Sequence, residues 1–178
     1  MSKPRILFMA SLLGSLLISI PASAQSLPAP AVGWEADASR KLTPRGQQEA
    51  RDAARWLQET VAMPQGVLCS PAMRTRETLA QLVAAGCTLP EADIAADIYE
   101  ASLGDLLGVI EAHIAAMPAL ARLWLVGHNP GLEQLVFHLD AAARLHALPT
   151  SGIVVLQFDG RVPVTDPGAA RIAHTWSP

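Results

Sequence analysis

The sequence predicts an α/β fold in three layers, a mostly parallel sheet flanked by helices. Short apolar, β-branched runs alternate with helix-patterned stretches of roughly 10–15 residues, which is the pattern of βαβ units. The stretch Leu123-Trp-Leu-Val-Gly127 is an apolar run of strand length that leads straight into His128, and Asn129 and Pro130 then supply a helix cap and a first-turn proline. An imidazole at such a strand-to-helix junction sits where open α/β sheets bind anions, because free N–H groups and the positive end of a helix dipole converge there.

The N-terminus is read before the rest. Lys3 and Arg5 precede the apolar run Ile6 to Ile20, and Ala22-Ser23-Ala24 follows as a small-residue cleavage site, the pattern of a secretory signal peptide. The run is short for a membrane span of about 20 residues. Cleavage after Ala24 would leave 178 − 24 = 154 residues, enough for one domain with its own core. It would also remove two basic residues and take the formal charge from −3 to −5, which argues against nucleic acid or an anionic membrane surface as partner. The expected divisions are therefore residues 1–24 as a signal or aberrant N-terminus, 25–41 as an irregular arm, and 42–178 as the folded domain.

The elements follow in order. Gln25 to Trp34 contains Pro28 and Pro30 and no strand-length apolar run. Thr43 can cap and Pro44 can open a helix to Thr60, with Ala50, Ala53, Ala54 and Leu57 on one face and Arg51, Asp52, Arg55 and Gln58 on the other. Met63 to Gly66 breaks it, Val67 to Cys69 is a buried-type strand, and Pro71 to about Ala85 is a helix closed by Gly86. Ile94 to Tyr99 is a weaker extended segment. Ser102 caps the next helix with Asp105 as capping-box partner, and the apolar positions run towards Met117 and Pro118. After the Leu123 strand come a helix from Pro130 to about Leu139, a strand from Ile153 to Phe158, and an edge strand from Arg171 to Trp176. Cys69 and Cys87 lie at opposite ends of a predicted helix, about 20 Å apart, so they are expected not to pair.

Candidate chemistry gathers at strand ends. Arg74 lies in the first helical turn after the Val67 strand, where the dipole disfavours a cation, so its presence asks for an anionic partner; spacing alone leaves it open between a pocket and a surface. His128 is likewise open between a core histidine satisfied by backbone and a pocket residue, and its position at a helix start favours a neutral ring. Glu100, after Tyr99, is a candidate general acid or an exposed carboxylate. His113, His138, His146 and His174 have no metal-ligand spacing with a cysteine or carboxylate, so no metal and no cofactor is expected. Cys69 reads as a buried strand cysteine rather than a nucleophile.

Four blocks stand in a specific order and spacing: Leu42-Thr-Pro-Arg-Gly46, Ser70-Pro-Ala-Met-Arg-Thr-Arg-Glu-Thr78, Val126-Gly-His-Asn-Pro-Gly131 and Leu148-Pro-Thr-Ser-Gly-Ile-Val154. Together they resemble the histidine phosphatase superfamily, with its phosphoglycerate mutase-like fold, and most closely the small SixA-type phosphohistidine phosphatases, over about Trp34 to Trp176. The resemblance implies a phosphate pocket in which Arg74, Ser70 and Asn129 hold the phosphate and His128 is the second histidine stabilising the phosphoryl group in transfer. Glu100 matches the family acid loosely. The implied partner is a phosphorylated protein carrying phosphohistidine, or a small phosphomonoester, acted on by a monomer without nucleic acid or membrane.

The departure from the family pattern is specific. The family's first strand ends in Arg-His-Gly or Arg-His-Ala, whose histidine attacks phosphorus. Here the corresponding arm, Pro28 to Gly33, has neither residue, and no histidine precedes His113. The chain is therefore expected to be a weak or inactive phosphatase, or a non-catalytic anion-binding protein on the same body. Because the family's first strand is central, its slot must be filled by the segment Ile6 to Ile20, filled in part by the Pro28 arm, or left by a divergent or misassigned fusion; the abrupt start of the matching blocks favours the last. A true signal implies a periplasmic or secreted protein, and a misassigned start a cytoplasmic one.

Overall fold

Along the central strands, alternate side chains fall on opposite faces of one sheet, and each face receives its own pair of helices. Val67, Cys69, Trp124, Val126, Ile153 and Val155 belong to one buried cluster with Ala53, Ala54, Leu57, Leu79 and Leu82. Leu68, Leu123, Leu125, Val154 and Leu156 belong to the other, with Leu106, Leu132, Leu135, Val136 and Leu139. The result is the three-layer α/β arrangement that the sequence pattern predicts.

The computed structural model describes residues 14–19, 37–142, 148–158, 160 and 164–178. Its strands are β1 (Gly14–Ser19), β2 (Gly66–Cys69), β3 (Ala92–Ile94), β4 (Leu123–Gly127), β5 (Ile153–Phe158) and β6 (Ala170–Trp176), and its helices α1 (Pro44–Thr60), α2 (Met73–Ala84), α3 (Leu103–Ala116) and α4 (Gly131–Leu139). The sheet order is β3-β2-β4-β1-β5-β6. The β2–β3, β2–β4 and β1–β4 pairs are parallel, whereas β1–β5 and β5–β6 are antiparallel. The central slot between β4 and β5 is thus filled by part of the apolar Ile6 to Ile20 segment, as the first of the three explanations supposes: Ser19 pairs with Gly127 and Ile18 with Ile153. The cleavage-site residues 22–24, the arm from Pro28 to Gly33 and His146 lie outside the described residues.

Local chemistry sets the helix starts, in one case not as expected. The Thr43 side chain accepts from the Gly46 N–H, and Ser102 and Asp105 form the expected capping box on α3. Asn129 does not cap α4. Pro130 occupies the cap position with no side-chain bond, and the Asn129 amide instead donates to the Leu148 carbonyl at 2.7 Å. Helix α2 starts at Met73 rather than Pro71, and the expected extended segment to Tyr99 divides into β3 and a 3₁₀ turn, Ala96–Ile98. Gly86 takes φ 102, which suits its place just past α2. Cys69 and Cys87 are both free and buried.

Candidate functional site

Parallel pairing of β2 with β4 sets Cys69 beside Val126, so the residues that follow each strand emerge together at one end of the sheet. The Ser70 N–H donates to the Val126 carbonyl at 2.9 Å, and His128 follows β4. Ser70, fully buried, lies 2.8 Å through its hydroxyl from His128 Nε2. Thr75 fixes the turn into α2 by donating to the Ser70 and Ala72 carbonyls. Arg74, one position into the helix, folds back so that its Nη2 lies 3.2 Å from His128 Nδ1.

These contacts fix the tautomer of the ring. A guanidinium only donates, so Nδ1 accepts from Arg74, Nε2 carries the proton, and the Ser70 hydroxyl oxygen accepts it. Burial first and the Arg74 charge second push the His128 pKa down to about 4, with Asp37 opposing. The ring is therefore neutral near pH 7 and its one lone pair is taken by Arg74. In this arrangement His128 neither withdraws the Ser70 proton nor aims a free nitrogen at a ligand.

Two residues of the site escaped the sequence reading. Arg74 Nη1 donates to the Asp37 main-chain oxygen at 2.9 Å and lies 3.0 Å from its carboxylate Oδ2. Tyr99 donates to the same Oδ2 at 2.9 Å and sets its ring edge-on to His128, centroids 5.4 Å apart. Arg40 holds the other carboxylate oxygen at 3.1 Å. Burial raises the Asp37 pKa, but the Tyr99 hydroxyl, Arg74 and Arg40 outweigh it and hold the carboxyl below its ordinary value. Asp37 lies in the segment read as an irregular arm; its spacing three residues before Arg40, just ahead of the Leu42-Thr43 block, is the signal that could have marked it.

Of the residues the sequence singled out, Arg74, His128 and Ser70 come together. Asn129 adjoins them, yet its amide is committed to Leu148. Glu100 follows Tyr99 but is exposed, in the left-handed region at φ 49, and among the described residues nothing hydrogen-bonds its carboxylate. Tyr99, not Glu100, faces the site. His113 lies by Asp93 with its Nδ1 3.5 Å from that carboxylate, His138 bonds the Thr165 carbonyl, and His174 packs against Trp56. Among the described residues no cluster of histidine, cysteine and carboxylate side chains has the make-up to hold a metal ion.

Close approach explains the glycines around His128. A Cβ at Gly127 would meet Ile98 Cγ2 at 2.9 Å, and one at Gly131 would run into the Ala101 carbonyl oxygen. Segment 98–101 therefore settles directly on the end of β4 and the start of α4, which brings Tyr99 against His128.

The four sequence blocks form a closed ring of contacts. The Leu42 N–H donates to Glu77 at 2.6 Å, joining the first block to the second, and Arg74 and Ser70 join the second to His128 in the third. Asn129 joins the third to Leu148 in the fourth. The buried Ser151 hydroxyl donates to Glu49 at 2.6 Å, tying the fourth back to α1 beside the first.

Comparison with known proteins bears on the fold and the family. The family model of the histidine phosphatase superfamily (branch 1) matches residues 32–155. An uncharacterized protein of Mycobacterium tuberculosis is 35% identical over 146 residues, covering 77% of this chain and 88% of that protein. One from Picosynechococcus is 33% identical over 143 residues, covering 78% and 79%. Among solved structures, the protein histidine phosphatase SixA complexed with tungstate superposes with a TM-score of 0.73 at 20% identity, over 92% of this chain and 96% of that one. The structure of a SixA protein from Agrobacterium tumefaciens gives 0.72 at 24% identity, over 93% and 99%.

Proposed function

The chain belongs to the histidine phosphatase superfamily, and from that membership we propose that its site binds the phosphoryl group of a phosphohistidine protein or a small phosphomonoester but hydrolyses it weakly or not at all. The observation that carries this reading is the pairing of Arg74 with a neutral His128 at the ends of β2 and β4, with no histidine before residue 113 in the sequence. Of the five donors on Arg74, two are engaged by Asp37 and one by His128; Nε–H and one Nη2–H have no partner among the described residues. Those two suit phosphoryl oxygens, and guanidinium is the side chain best shaped for them. The His128 Nε2–H is spent on the Ser70 hydroxyl oxygen, so in this arrangement the donors left for an anion are those of Arg74. In-line attack on phosphorus needs a nucleophile on the opposite side, and here the only lone pair on His128 is spent on Arg74.

Inorganic phosphate is the direct probe. Phosphate at about ten times its Kd stabilises a folded protein by roughly 1.4 kcal/mol, a rise in Tm of a few degrees for a chain of this size. The wild-type chain should show that rise and the Arg74→Ala chain should not. A Tm indifferent to phosphate in the wild type contradicts the reading. Because Gly14–Ser19 forms a central strand, the folded protein is expected to keep the residues that cleavage after Ala24 would remove, and the mass of the protein isolated from its own cell tests whether it does.

A further inference from the structure

We propose that Asp37 is a resident counter-anion of this site, its carboxylate competing with an incoming phosphoryl group for the Arg74 guanidinium. The inference rests on the assignment of Arg74 and His128 as a phosphoryl site and adds to it a residue that sets its affinity.

Three observations support competition rather than support of the arginine. The carboxylate lies 3.0 Å from Arg74 Nη1 and is itself gripped by Tyr99 at 2.9 Å and Arg40 at 3.1 Å, so a full negative charge is held against the guanidinium that contacts His128. The orientation of Arg74 does not need that charge, because the Asp37 main-chain oxygen and His128 Nδ1 also accept from the guanidinium. The Asp37 side chain is 38% exposed against 17% for Arg74, so it covers the arginine from the solvent side and can swing away without unpacking the core.

The consequence is a site whose positive charge is neutralised when empty. Two anions cannot both use Nη1, and even if the carboxylate stays, its charge opposes a second one a few ångströms away. At a partly exposed site that repulsion changes an affinity by tenfold or more. For a phosphoryl-binding protein the benefit is release: a carboxylate that returns to Arg74 helps free phosphate leave.

The test is a titration of the full-length chain with inorganic phosphate, followed by calorimetry at fixed pH and ionic strength, for the wild type and for Asp37→Asn, Tyr99→Phe and Arg74→Ala. Asp37→Asn keeps an amide oxygen in the place of Oδ2 without its charge and should bind phosphate about tenfold tighter. Tyr99→Phe loosens the carboxylate and should shift affinity the same way by less, a second readout should the first variant fold poorly. Unchanged or weaker binding in both, with binding lost in Arg74→Ala, overturns the competition and leaves the phosphoryl site standing. Equal binding by wild type and Arg74→Ala, or none by any chain, removes the site and the proposal together.

Discussion

At the scale of single residues, the site turns on which partner each polar group is given. His128 is held neutral by burial and by Arg74, and that has a stability consequence. A histidine whose folded pKa is depressed to about 4 from 6.5 contributes stability that is present above pH 6.5 and lost as the pH falls towards 4. The loss is on the order of 3 kcal/mol. Urea unfolding of the wild type should therefore weaken across that window, and His128→Asn should remove much of the slope; an equal slope in both chains would contradict the neutral buried ring. The sequence marked His128 because it directly follows a legible strand and Arg74 because it is a cation in the first turn of the helix after another, while Ser70 came with the family resemblance. It passed over Asp37 because a carboxylate in a proline-bearing arm carries no periodic signal, and it chose Glu100 over Tyr99 because chemistry named the acid while packing selected the ring.

At the scale of elements, strands and helices were legible wherever their periodicity was undisturbed by turns. Thr43-Pro44 and Ser102-Asp105 announced α1 and α3, whereas Asn129 looked like a cap and became a cross-link to Leu148, because the chain around Pro130 enters α4 without a side-chain cap. Close contacts at this scale are not visible to pattern. The Ala101 carbonyl against Gly131 is one, and Gly131→Ala should cost about 1–3 kcal/mol and lower the urea midpoint, because the obstacle is backbone and cannot step aside as a side-chain tip would. An unchanged midpoint would show that segment 98–101 does not press on α4. The Ser151–Glu49 bond is another. Ser151→Ala leaves a buried carboxylate oxygen without its donor, at a cost of about 1–3 kcal/mol in the same measurement.

At the scale of the molecule, the question the sequence left open was what fills the centre of the sheet. Residues Gly14–Ser19 do, parallel to β4 and antiparallel to β5. No periodicity distinguishes an apolar run in a signal from one in a buried central strand, since both are continuous and aliphatic. A chain beginning at Gln25 should consequently lose cooperative unfolding, because β4 and β5 would each face an empty edge; a sharp, wild-type-like transition would show that the body closes without β1. The ring of contacts through the four sequence blocks then positions the proposed phosphoryl site, where, among the described residues, no imidazole besides His128 stands. Single-turnover mixing of excess full-length chain with a phosphohistidine-bearing protein tests that claim most directly, with acid- and base-quenched samples read for free phosphate and for label on the chain. Neither should exceed the level given by the Arg74→Ala chain; a burst of labelled chain or of free phosphate that disappears in His128→Ala would contradict it.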